Sequence, residues 1–293
     1  MSPAVALIKT IRPHQWVKNL FVAAALVFSR HLTDLEYLAR TGVAVLAFCM
    51  LSGAVYAFND VRDVEADRAH SNKMHRPIAS GALSERAALT AAIVLAVTAL
   101  VGCLFLSWKL AAIAGLYLAQ NIAYSLKLKQ IAFIDVGVIA SGFILRVLAG
   151  AAAIDVPASG WLLICTALLA TFLGLGKRAH ELAWAERTGK THETRASLAG
   201  YRIPVVRAAM FVIGIVTCAA YLAYTVDPHT VAFFHTDRLP YSAPFVALGI
   251  LRYLSLALWW PKDESPTEAM LKDPWFLLNL AAAGATVLYI IYG

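Results

Sequence analysis

The chain has 293 residues, of which 60% are hydrophobic and 15% are charged, and its formal net charge is +7. A soluble globular domain is nearer half apolar and a quarter charged, so this chain has too few charges to cover a water-facing surface of its size. Composition therefore excludes disordered, collagen-like, coiled-coil and small disulfide-rich proteins. The apolar runs are about twice the ~10 residues of a barrel strand and do not alternate. These features predict an all-α protein with several transmembrane helices.

Nine segments are long and apolar enough to form membrane helices, each of which needs about 20 mostly apolar residues. They lie near residues 15–32, 38–58, 86–106, 109–125, 131–153, 159–177, 205–226, 243–260 and 274–292. The preceding residues 3–13 are too few to span and are expected to lie along the membrane interface. We expect the nine helices to form one integral membrane domain over residues 1–293.

The distribution of basic residues predicts how these helices are oriented. Most of the 25 Lys and Arg residues fall on the side of the N-terminus, which the positive-inside rule assigns to the cytosol. An odd number of spans then places the C-terminus outside. Two cytosolic loops, about residues 59–85 and 178–204, are long and rich in charge, and long loops are often functional. We expect the chemistry there, and we expect no binding of nucleic acid.

The first long loop begins with acidic side chains on one helical face. At 100° per residue, a helix that continues out of the second span brings three carboxylates and an amide within about a 100° arc. These residues are Asn59, Asp60, Asp63 and Asp67. Clustered carboxylates repel one another unless a cation lies among them, and carboxylates combined with substrate phosphates are typical of Mg²⁺ sites. Lys73 and Arg76 follow and are suited to bind phosphate oxygens, whereas the alternative is a solvated charged loop.

The pattern from Asn59 to Gly81 resembles the first Asp-rich motif of the UbiA superfamily of membrane prenyltransferases. It reads Asn59-Asp60-x-x-Asp63-x-x-x-Asp67, followed by Lys73-x-x-Arg76-Pro77-Ile78-Ala79-Ser80-Gly81. The resemblance extends over essentially the whole chain, because nine spans with two long cytosolic loops are the layout of that superfamily. It implies helices around a central cavity, and it implies that the four acidic-face residues bind Mg²⁺ and take part in catalysis.

The second long loop differs from typical members of the superfamily, which carry another Asp-rich motif after the sixth span. Here the segment reads Gly174-Leu175-Gly176-Lys177-Arg178-Ala179-His180-Glu181, followed by Arg195 and Tyr201. Two basic residues in place of an acidic cluster favour a bare phosphate without a metal. The alternative for Lys177, Arg178 and Glu181 is an ion pair on a helix surface, since residues three and four apart are neighbours on a helix.

This substitution resembles one branch of the superfamily, the polyprenyl-phosphate phosphoribosyltransferases. Three further segments fit that branch: Arg12-Pro13-x-Gln15-Trp16-x-Lys18-Asn19, Tyr124-Ser125-x-x-Leu128-Lys129 with Asp135-Val136, and Gly176-Lys177-Arg178-x-x-Glu181. The resemblance implies an enzyme that transfers phosphoribosyl from phosphoribosyl diphosphate (PRPP) to a polyprenyl phosphate such as decaprenyl phosphate, with release of diphosphate. It also implies a bacterial plasma membrane location and a product that can feed arabinose-containing cell-wall polymers.

PRPP carries a diphosphate at C1 and a monophosphate at C5. Each of the two long loops contains a set of residues suited to bind one of them. The acidic, Mg²⁺-binding loop is expected to take the diphosphate, and Lys177 and Arg178 the 5-phosphate. Metal and basic groups stabilise charge on the departing diphosphate as the sugar becomes oxocarbenium-like. The acceptor phosphate is already an anion, so no strong general base is required. Further candidate substrate contacts are Lys18, Tyr124, Lys129, Arg146, Glu181, Arg195 and Tyr201.

Several of these candidates have a structural alternative. Lys18 has the position of an interfacial lysine whose stem lies along the membrane, and Tyr124 that of an interfacial aromatic residue. Arg146 lies within a span, where an unpaired charge costs about 2.5–3.5 kcal/mol, so we expect it to face the cavity. Its expected partner is either Asp135 or a substrate phosphate.

Two other functions compete with phosphoribosyl transfer. A UbiA-type prenyltransferase would move an isoprenoid from its diphosphate to an aromatic acceptor, and the missing second Asp-rich motif counts against it. A transporter or lipid-binding membrane protein would show inverted repeats and Gly- or Pro-interrupted spans near the bilayer midplane, and the sequence has neither feature. The sequence leaves open whether the protein forms homo-oligomers.

Overall fold

Helices dominate the part of the chain that the structure describes. This computed structural model describes residues 2–71, 73–189, 196–259 and 265–293. The α-helices in these ranges are α1 (Pro3–Ile11), α2 (Ala24–Phe28), α3 (Leu35–Arg62), α4 (Val64–Ala69), α5 (Glu85–Leu106), α6 (Trp108–Leu126), α7 (Ile134–Ala153), α8 (Gly160–Thr188), α9 (Ile203–Val226), α10 (Pro228–Phe234), α11 (Ala243–Leu258), α12 (Pro266–Lys272) and α13 (Pro274–Tyr292). Short 3-10 helices cover Pro13–Ala23, Lys73–His75, Leu128–Gln130, Ala196–Gly200 and Leu239–Ser242. The predicted all-α class is confirmed.

Side-chain caps begin several of the long helices. The Asp34 carboxylate accepts a hydrogen bond from the Glu36 backbone N–H at 2.9 Å where α3 begins. The Ser84 hydroxyl accepts from the backbone N–H of Ala87 at 3.2 Å where α5 begins. Ser107 is both the C-terminal cap of α5 and the N-terminal cap of α6, where its hydroxyl accepts from the backbone N–H of Lys109. Each cap satisfies a backbone donor that has no partner within its own helix.

Seven of the described helical segments are long and apolar enough to cross a membrane. They are α3, α5, α7, α8, α9, α11 with the 3-10 turn before it, and α13. The segment predicted near 15–32 forms a 3-10 helix followed by the short α2. The segment predicted near 109–125 forms α6, which contains Gln120 and Asn121 and is not among these seven. The chain is therefore a polytopic membrane protein, while nine spans stay a prediction.

The chain divides into two compact units, whereas the sequence predicts a single domain. Unit 1 comprises Met1–Leu128 and Gly142–Ala158, and unit 2 comprises Lys129–Ser141 and Ser159–Gly293. Helix α7 thus contributes its first residues to unit 2 and the remainder to unit 1. A single membrane domain stays a prediction.

The core of unit 1 forms around α3, and a glycine sets one of its closest contacts. Phe48 and Leu51 of α3 are fully buried in an apolar cluster that includes Tyr117 of α6. On α7, a Cβ added to Gly150 would lie only 1.8 Å from the carbonyl oxygen of Val22. Only glycine permits this approach, which brings the backbone of the 3-10 helix Pro13–Ala23 against α7.

The core of unit 2 forms where α8 packs against α9 and α11. Phe172, Met210 and Tyr253 are buried there. Helix α8 continues eleven residues beyond the span predicted to end at 177 and stops before Gly189, which has a φ of 66°. The start of the second predicted loop is therefore helical, because no proline or glycine interrupts the chain from 178 to 188.

Candidate active site

The Asp-rich segment lies where α3 ends and α4 begins. Asp63 separates the two helices and has φ −100° and ψ 12°. Backbone hydrogen bonds from the N–H of Asp63 to the carbonyl of Asn59 (2.9 Å) and from the N–H of Asp67 to the carbonyl of Asp63 (2.8 Å) bridge the break. The helix that the sequence predicts to run straight through this segment is therefore interrupted at one residue, while its hydrogen-bonded path largely continues.

Two acids of this segment are buried and are joined by arginine side chains. Asp60 is only 3% exposed, and Asp67 is equally buried. Nη1 of Arg76 lies 3.1 Å from Oδ1 of Asp60 and 2.7 Å from Oδ2 of Asp67. Nη2 of Arg12 donates to the same Oδ1 of Asp60 at 2.5 Å. The two carboxylates therefore lie close together, with two guanidinium groups balancing their charge.

Arg12 belongs to this cluster although it is not among the predicted site residues. It forms the turn between α1 and the next 3-10 helix, with a φ of 52° in the left-handed region. A residue other than glycine adopts this conformation at a cost of about 1–2 kcal/mol. Its guanidinium also lies 5.0 Å from the centroid of the Tyr56 ring. Arg12 is the first residue of the motif Arg12-Pro13-x-Gln15-Trp16-x-Lys18-Asn19, but the resemblance assigns it no role, and charge alone does not distinguish it from the other basic residues near the membrane surface.

The residues present fit a hard divalent cation that arrives with a phosphate. Mg²⁺ is usually held by one or two carboxylates together with substrate phosphates, and Asp60 and Asp67 provide two neighbouring carboxylates. Among the described residues, no group of three or more His, Cys, Asp or Glu side chains is placed to hold a metal by itself. Asn59 and Asp63 lie half-buried in the same segment. The four-residue metal site therefore stays a prediction, and two of its members are close together.

Arg76 is positioned by a compact turn between α4 and α5. Its backbone N–H donates to the carbonyl of Lys73 at 2.9 Å. The following Pro77 and Ile78 are buried and anchor the turn. Gly81 has a φ of 78° before the chain enters α5, a conformation that favours glycine. The two basic residues that the sequence assigns to the diphosphate thus belong to one turn of unit 1.

Arg146 is buried in the part of α7 that belongs to unit 1. Its Nε donates to Oδ1 of Asn19 at 2.8 Å, and its Nη2 donates to the hydroxyl of Tyr117 at 2.8 Å. The close approach at Gly150 explains the first contact. Asn19 lies three residues before Val22, and Arg146 lies four residues before Gly150. Each is therefore about one helical turn away from the point where the backbones of Val22 and Gly150 touch, and there the two side chains meet. These neutral groups, and not Asp135, are the side-chain hydrogen-bond partners that Arg146 has among the described residues, and the other expected partner, a substrate phosphate, stays a prediction.

Arg178 is the fully buried basic residue of unit 2. Its side chain is 0% exposed, its Nη1 donates to Oε2 of Glu181 at 2.5 Å, and its Nε lies 3.5 Å from Oδ2 of Asp135. Its Nη2 makes no hydrogen bond with any described residue. The pair of residues three apart therefore exists, but it is buried rather than on the helix surface. Lys177 lies half-buried beside it in α8.

Asp135 connects the start of α7 to the last part of the second long loop. Its Oδ1 accepts a hydrogen bond from the hydroxyl of Tyr201 at 2.6 Å, and its Oδ2 accepts one from Ser197 at 3.3 Å. The Tyr201 oxygen in turn accepts from the backbone N–H of Phe133 at 2.7 Å. Burial, and then the hydrogen bond to Asp135, raise the pKa of the Tyr201 hydroxyl above its ordinary value. Tyr201 is therefore a neutral donor.

Two predicted substrate contacts thus have charged protein partners. Glu181 contacts Arg178, and Tyr201 contacts Asp135, which itself faces Arg178. The sequence predicts both as groups that touch substrate, and that role stays a prediction. Their contacts give each a second possible role, which is to hold Arg178 in place.

The remaining predicted contacts lie in three places. Lys18 is half-buried in the 3-10 helix before α2, Tyr124 is half-buried near the end of α6, and Lys129 is half-buried in the 3-10 turn after it. Each interacts with other groups in the protein. Arg195 lies outside the described residues. Asn19 belongs to the motif that begins at Arg12 but was assigned no role, and Tyr117 is a contact that sequence reasoning missed, because a single hydroxyl in an apolar run has no distinctive spacing.

Solved structures of UbiA homologues share this fold. A UbiA homologue from Archaeoglobus fulgidus, solved with DMAPP and Mg²⁺, matches with a TM-score of 0.71 at 16% identity, over 97% of this chain and 98% of that one. A UbiA homologue from Aeropyrum pernix K1 matches with a TM-score of 0.69 at 17% identity, over 94% of this chain and 97% of that one. At such identities the likeness establishes the fold.

Sequence comparisons identify relatives along most of the chain. A decaprenyl-phosphate phosphoribosyltransferase of Mycobacterium tuberculosis strain H37Rv is 37% identical over 253 residues, which are 84% of this chain and 82% of the relative. The decaprenyl-phosphate phosphoribosyltransferase of Mycolicibacterium smegmatis is 35% identical over 303 aligned positions, covering 97% and 92%. The model of the UbiA prenyltransferase family matches residues 19–289. The chain therefore belongs to the UbiA prenyltransferase family.

Proposed function

We propose that this protein transfers the 5-phosphoribosyl group of PRPP to a polyprenyl phosphate, such as decaprenyl phosphate, and releases diphosphate. Relatives at 35% and 37% identity carry the name of that activity. The observation that carries the proposal is the buried guanidinium of Arg178, whose Nη2 has no hydrogen-bond partner among the described residues. A basic group with a donor to spare suits a phosphate, whereas typical members of the superfamily carry acids in this segment.

The diphosphate of the donor is assigned to the Asp-rich segment of unit 1. Asn59, Asp60, Asp63 and Asp67 are the residues that would hold Mg²⁺. When bound, the ion would polarise the diphosphate and stabilise the charge that develops on it. Lys73 and Arg76 are assigned to diphosphate oxygens that the metal leaves open. Arg76 already bridges two of the acids, so it is close to the phosphate that these acids would hold through the ion.

The 5-phosphate of the donor is assigned to Lys177 and Arg178 of unit 2. A phosphate monoester is recognised well by a guanidinium that presents a fork of N–H groups and by a neighbouring ammonium. Glu181 and Asp135 face the other edges of the Arg178 guanidinium, and they would keep its open edge directed at the substrate. Lys18, Tyr124 and Lys129 are proposed as further substrate contacts.

The reaction requires positioning and charge stabilisation more than proton transfer. An oxygen of the acceptor phosphate forms a bond to C1 of the ribose while the bond from C1 to the diphosphate oxygen breaks. The bonding electron pair leaves with the diphosphate, whose charge basic side chains would stabilise, together with Mg²⁺ when it is bound. The nucleophile is already an anion, so no side chain must remove a proton. Correct placement of the reacting atoms then supplies much of the rate.

The arrangement in the membrane follows from the same proposal. We propose nine spans in a single membrane domain around a central cavity, with the N-terminus and the active site on the cytosolic face of a bacterial plasma membrane and the C-terminus outside. Basic residues concentrate on the proposed cytosolic side, as the positive-inside rule expects. PRPP is water-soluble and would reach the site from the cytosol, while the lipid tail of the acceptor would lie between apolar helices.

A transfer assay with the purified protein tests this function. The protein in detergent is given PRPP labelled in the ribose, a polyprenyl phosphate and Mg²⁺, with lipids of several chain lengths and with or without a chelator. We expect label in the organic phase that disappears with the chelator. If no lipid takes up label while a prenyl diphosphate and an aromatic acceptor react, the protein is a prenyltransferase, and the role of Lys177 and Arg178 is refuted.

A further inference from the structure

Arg146 is a cation buried inside a membrane-spanning helix without an acidic partner. Its side chain lies in α7, the residue is 7% exposed, and its hydrogen bonds go to Asn19, Tyr117 and the backbone carbonyl of Gly142. None of these groups carries a charge. Among the described residues, no carboxylate forms an ion pair with it. The aromatic rings of Tyr117 and Phe143 lie 4.8 and 5.4 Å from the guanidinium carbon.

The guanidinium of Arg146 has two N–H groups left over. Arginine carries five donors, and one from Nε, one from Nη1 and one from Nη2 are used by the three contacts above. The second N–H of each Nη group finds no acceptor among the described residues. A buried charge is stable only when it is paired and hydrogen-bonded, so the missing component is an anion. Two N–H groups on neighbouring nitrogens match a phosphate bidentately.

The neutral partners hold the guanidinium without using up its charge. Oδ1 of Asn19 accepts from Arg146, and the Ser52 hydroxyl lies 3.3 Å from both this oxygen and the oxygen of Tyr117. An aspartate at position 19 would neutralise the cation, whereas an amide orients it and leaves its positive charge available. The sequence therefore places an oriented, uncompensated cation here.

The position of this cation relative to the Asp-rich segment follows from α3. Ser52, Tyr56 and Asp60 recur every four residues on α3 and share one face. Ser52 contacts the partners of Arg146, and Asp60 contacts Arg12 and Arg76. Eight residues of α-helix separate these two levels, which is about 12 Å. Arg146 thus lies deeper in the spanning part of unit 1 than the proposed diphosphate site, on the same side of α3.

We propose that Arg146 binds the phosphate of the polyprenyl-phosphate acceptor, with Asn19 and Tyr117 as its positioning residues. This inference rests on the proposed function, which assigns binding groups to the two phosphate moieties of PRPP but none to the phosphate of the acceptor. The donor diphosphate lies with the Asp-rich segment, and the 5-phosphate with Lys177 and Arg178. The third phosphate arrives on an apolar tail that lies in the bilayer, and a buried cation in a spanning helix, close to the Asp-rich segment on one face of α3, is suited to receive it. Arg146 would hold the two phosphate oxygens that do not attack C1.

Binding in the absence of turnover is the first test. The probes are farnesyl phosphate, farnesol, inorganic phosphate and PRPP, each added to the detergent-solubilised protein while its melting temperature is measured. We expect farnesyl phosphate to stabilise the wild-type protein and Arg146→Gln to weaken that binding by about 10- to 100-fold, as the loss of charge-assisted hydrogen bonds predicts. PRPP should stabilise both proteins equally. If inorganic phosphate stabilises the wild-type protein as strongly as farnesyl phosphate, and Arg146→Gln removes that stabilisation, the site is one for free phosphate and the proposal is wrong.

The kinetic test separates binding from structure. Arg146→Gln should raise the KM for the lipid phosphate and leave the KM for PRPP unchanged, while Arg146→Lys, which keeps the charge but loses the fork, should give an intermediate value. Arg40→Gln is the matched control, because Arg40 also donates to a backbone carbonyl of unit 1, that of Ala153, but its side chain is 36% exposed. Equal losses for both substrates would show that Arg146 is only structural.

The two proposals fail in different ways. If the wild-type protein transfers phosphoribosyl and Arg146→Gln keeps a normal KM for the lipid, the acceptor site is wrong while the function stands. If the wild-type protein transfers no phosphoribosyl, the proposed function is wrong. The binding of farnesyl phosphate then still decides whether Arg146 holds a prenyl phosphate, because that measurement does not depend on turnover.

Discussion

The hydroxyl of Tyr201 donates a hydrogen bond of 2.6 Å to Oδ1 of Asp135. The other oxygen of the same carboxylate lies 3.5 Å from Nε of Arg178. A tyrosine near the end of the second long loop therefore holds the acid that faces Arg178, one of the two residues proposed to bind the 5-phosphate. The position of Tyr201 therefore affects how Asp135 orients the buried guanidinium of Arg178.

We expect Tyr201→Phe to lower the affinity for PRPP more than the affinity for the lipid. The change removes one donor to the buried Asp135 carboxylate and leaves the backbone N–H of Phe133 without its acceptor. An unsatisfied buried polar group costs about 1–3 kcal/mol, so the melting temperature should also fall. The measurement is the KM for each substrate, with Tyr241→Phe, which removes an exposed hydroxyl of unit 2, as the control. Unchanged stability and unchanged PRPP affinity in Tyr201→Phe would contradict this role.

The pH dependence of the same variant checks the protonation state. The folded protein holds the pKa of Tyr201 above its value in the unfolded chain, so the hydroxyl contributes fully below the unfolded pKa of about 10. Its contribution is lost only as pH rises further towards the folded pKa. The difference in melting temperature between wild type and Tyr201→Phe should therefore be constant from about pH 6 to 9. A difference that disappears near neutral pH would show that another group controls this contact.

We expect Asp67→Asn to abolish turnover while the protein stays folded. The carboxylate pairs with Arg76 and is a proposed Mg²⁺ ligand, and an amide is a much poorer partner for both. Asp63→Asn should have the same effect on turnover. Glu65→Gln is the control, because Glu65 lies in the same short helix with its side chain 84% exposed. Full activity in either Asp variant, measured over a Mg²⁺ titration, would remove the metal assignment.

We expect Lys177→Ala to weaken PRPP binding by about tenfold or more, with little effect on the lipid. The ammonium is proposed to contact the 5-phosphate, and hydrogen bonds to charged groups are worth about 1.5–3 kcal/mol. The readout is the KM for PRPP against the KM for the polyprenyl phosphate, and exposed Lys127 changed to Ala provides the control. Equal effects of Lys177→Ala on the two KM values would refute the 5-phosphate assignment.

We expect Gly150→Ala to destabilise unit 1. The new methyl group would overlap the carbonyl oxygen of Val22, and overpacking of this kind costs about 1–3 kcal/mol. Gly137→Ala in the same helix is the control, because an added Cβ meets nothing within 4 Å there and alanine favours a helix. The unfolding midpoint in detergent should fall for the first variant and stay or rise for the second. A melting temperature unchanged by Gly150→Ala would mean that the two backbones separate easily.

The sequence predicts the helical class and the location of the Asp-rich segment because both depend on local patterns. Long apolar runs require helices in a bilayer, and residues 59–67 have helical spacing. The interruption of the helix at Asp63 was not predictable, because the spacing of Asn59, Asp60, Asp63 and Asp67 in the sequence is the same whether or not the helix breaks at one residue. The extension of α8 to Thr188 was missed for the opposite reason, because a charged stretch after an apolar run reads as a loop.

The partners of the charged side chains depend on tertiary contacts that no spacing reveals. Arg12 and Asp60 are 48 residues apart, and Arg146 and Asn19 are 127 residues apart. The sequence indicates that Arg146, a charge within a span, needs a partner. Its neutral partners cannot be predicted, because they depend on the contact between the backbones of Gly150 and Val22. The same holds for Tyr201, whose tie to Asp135 spans 66 residues.

The most direct test of the proposed reaction follows which bond of the donor breaks. PRPP carrying one label in the ribose and a second label in the β-phosphate of the diphosphate is incubated with the protein, a polyprenyl phosphate and Mg²⁺, and the organic and aqueous phases are counted. We predict that the ribose label enters the lipid and that an equal amount of the second label appears in water as diphosphate. Both labels in the lipid, or neither, would contradict transfer of the phosphoribosyl group.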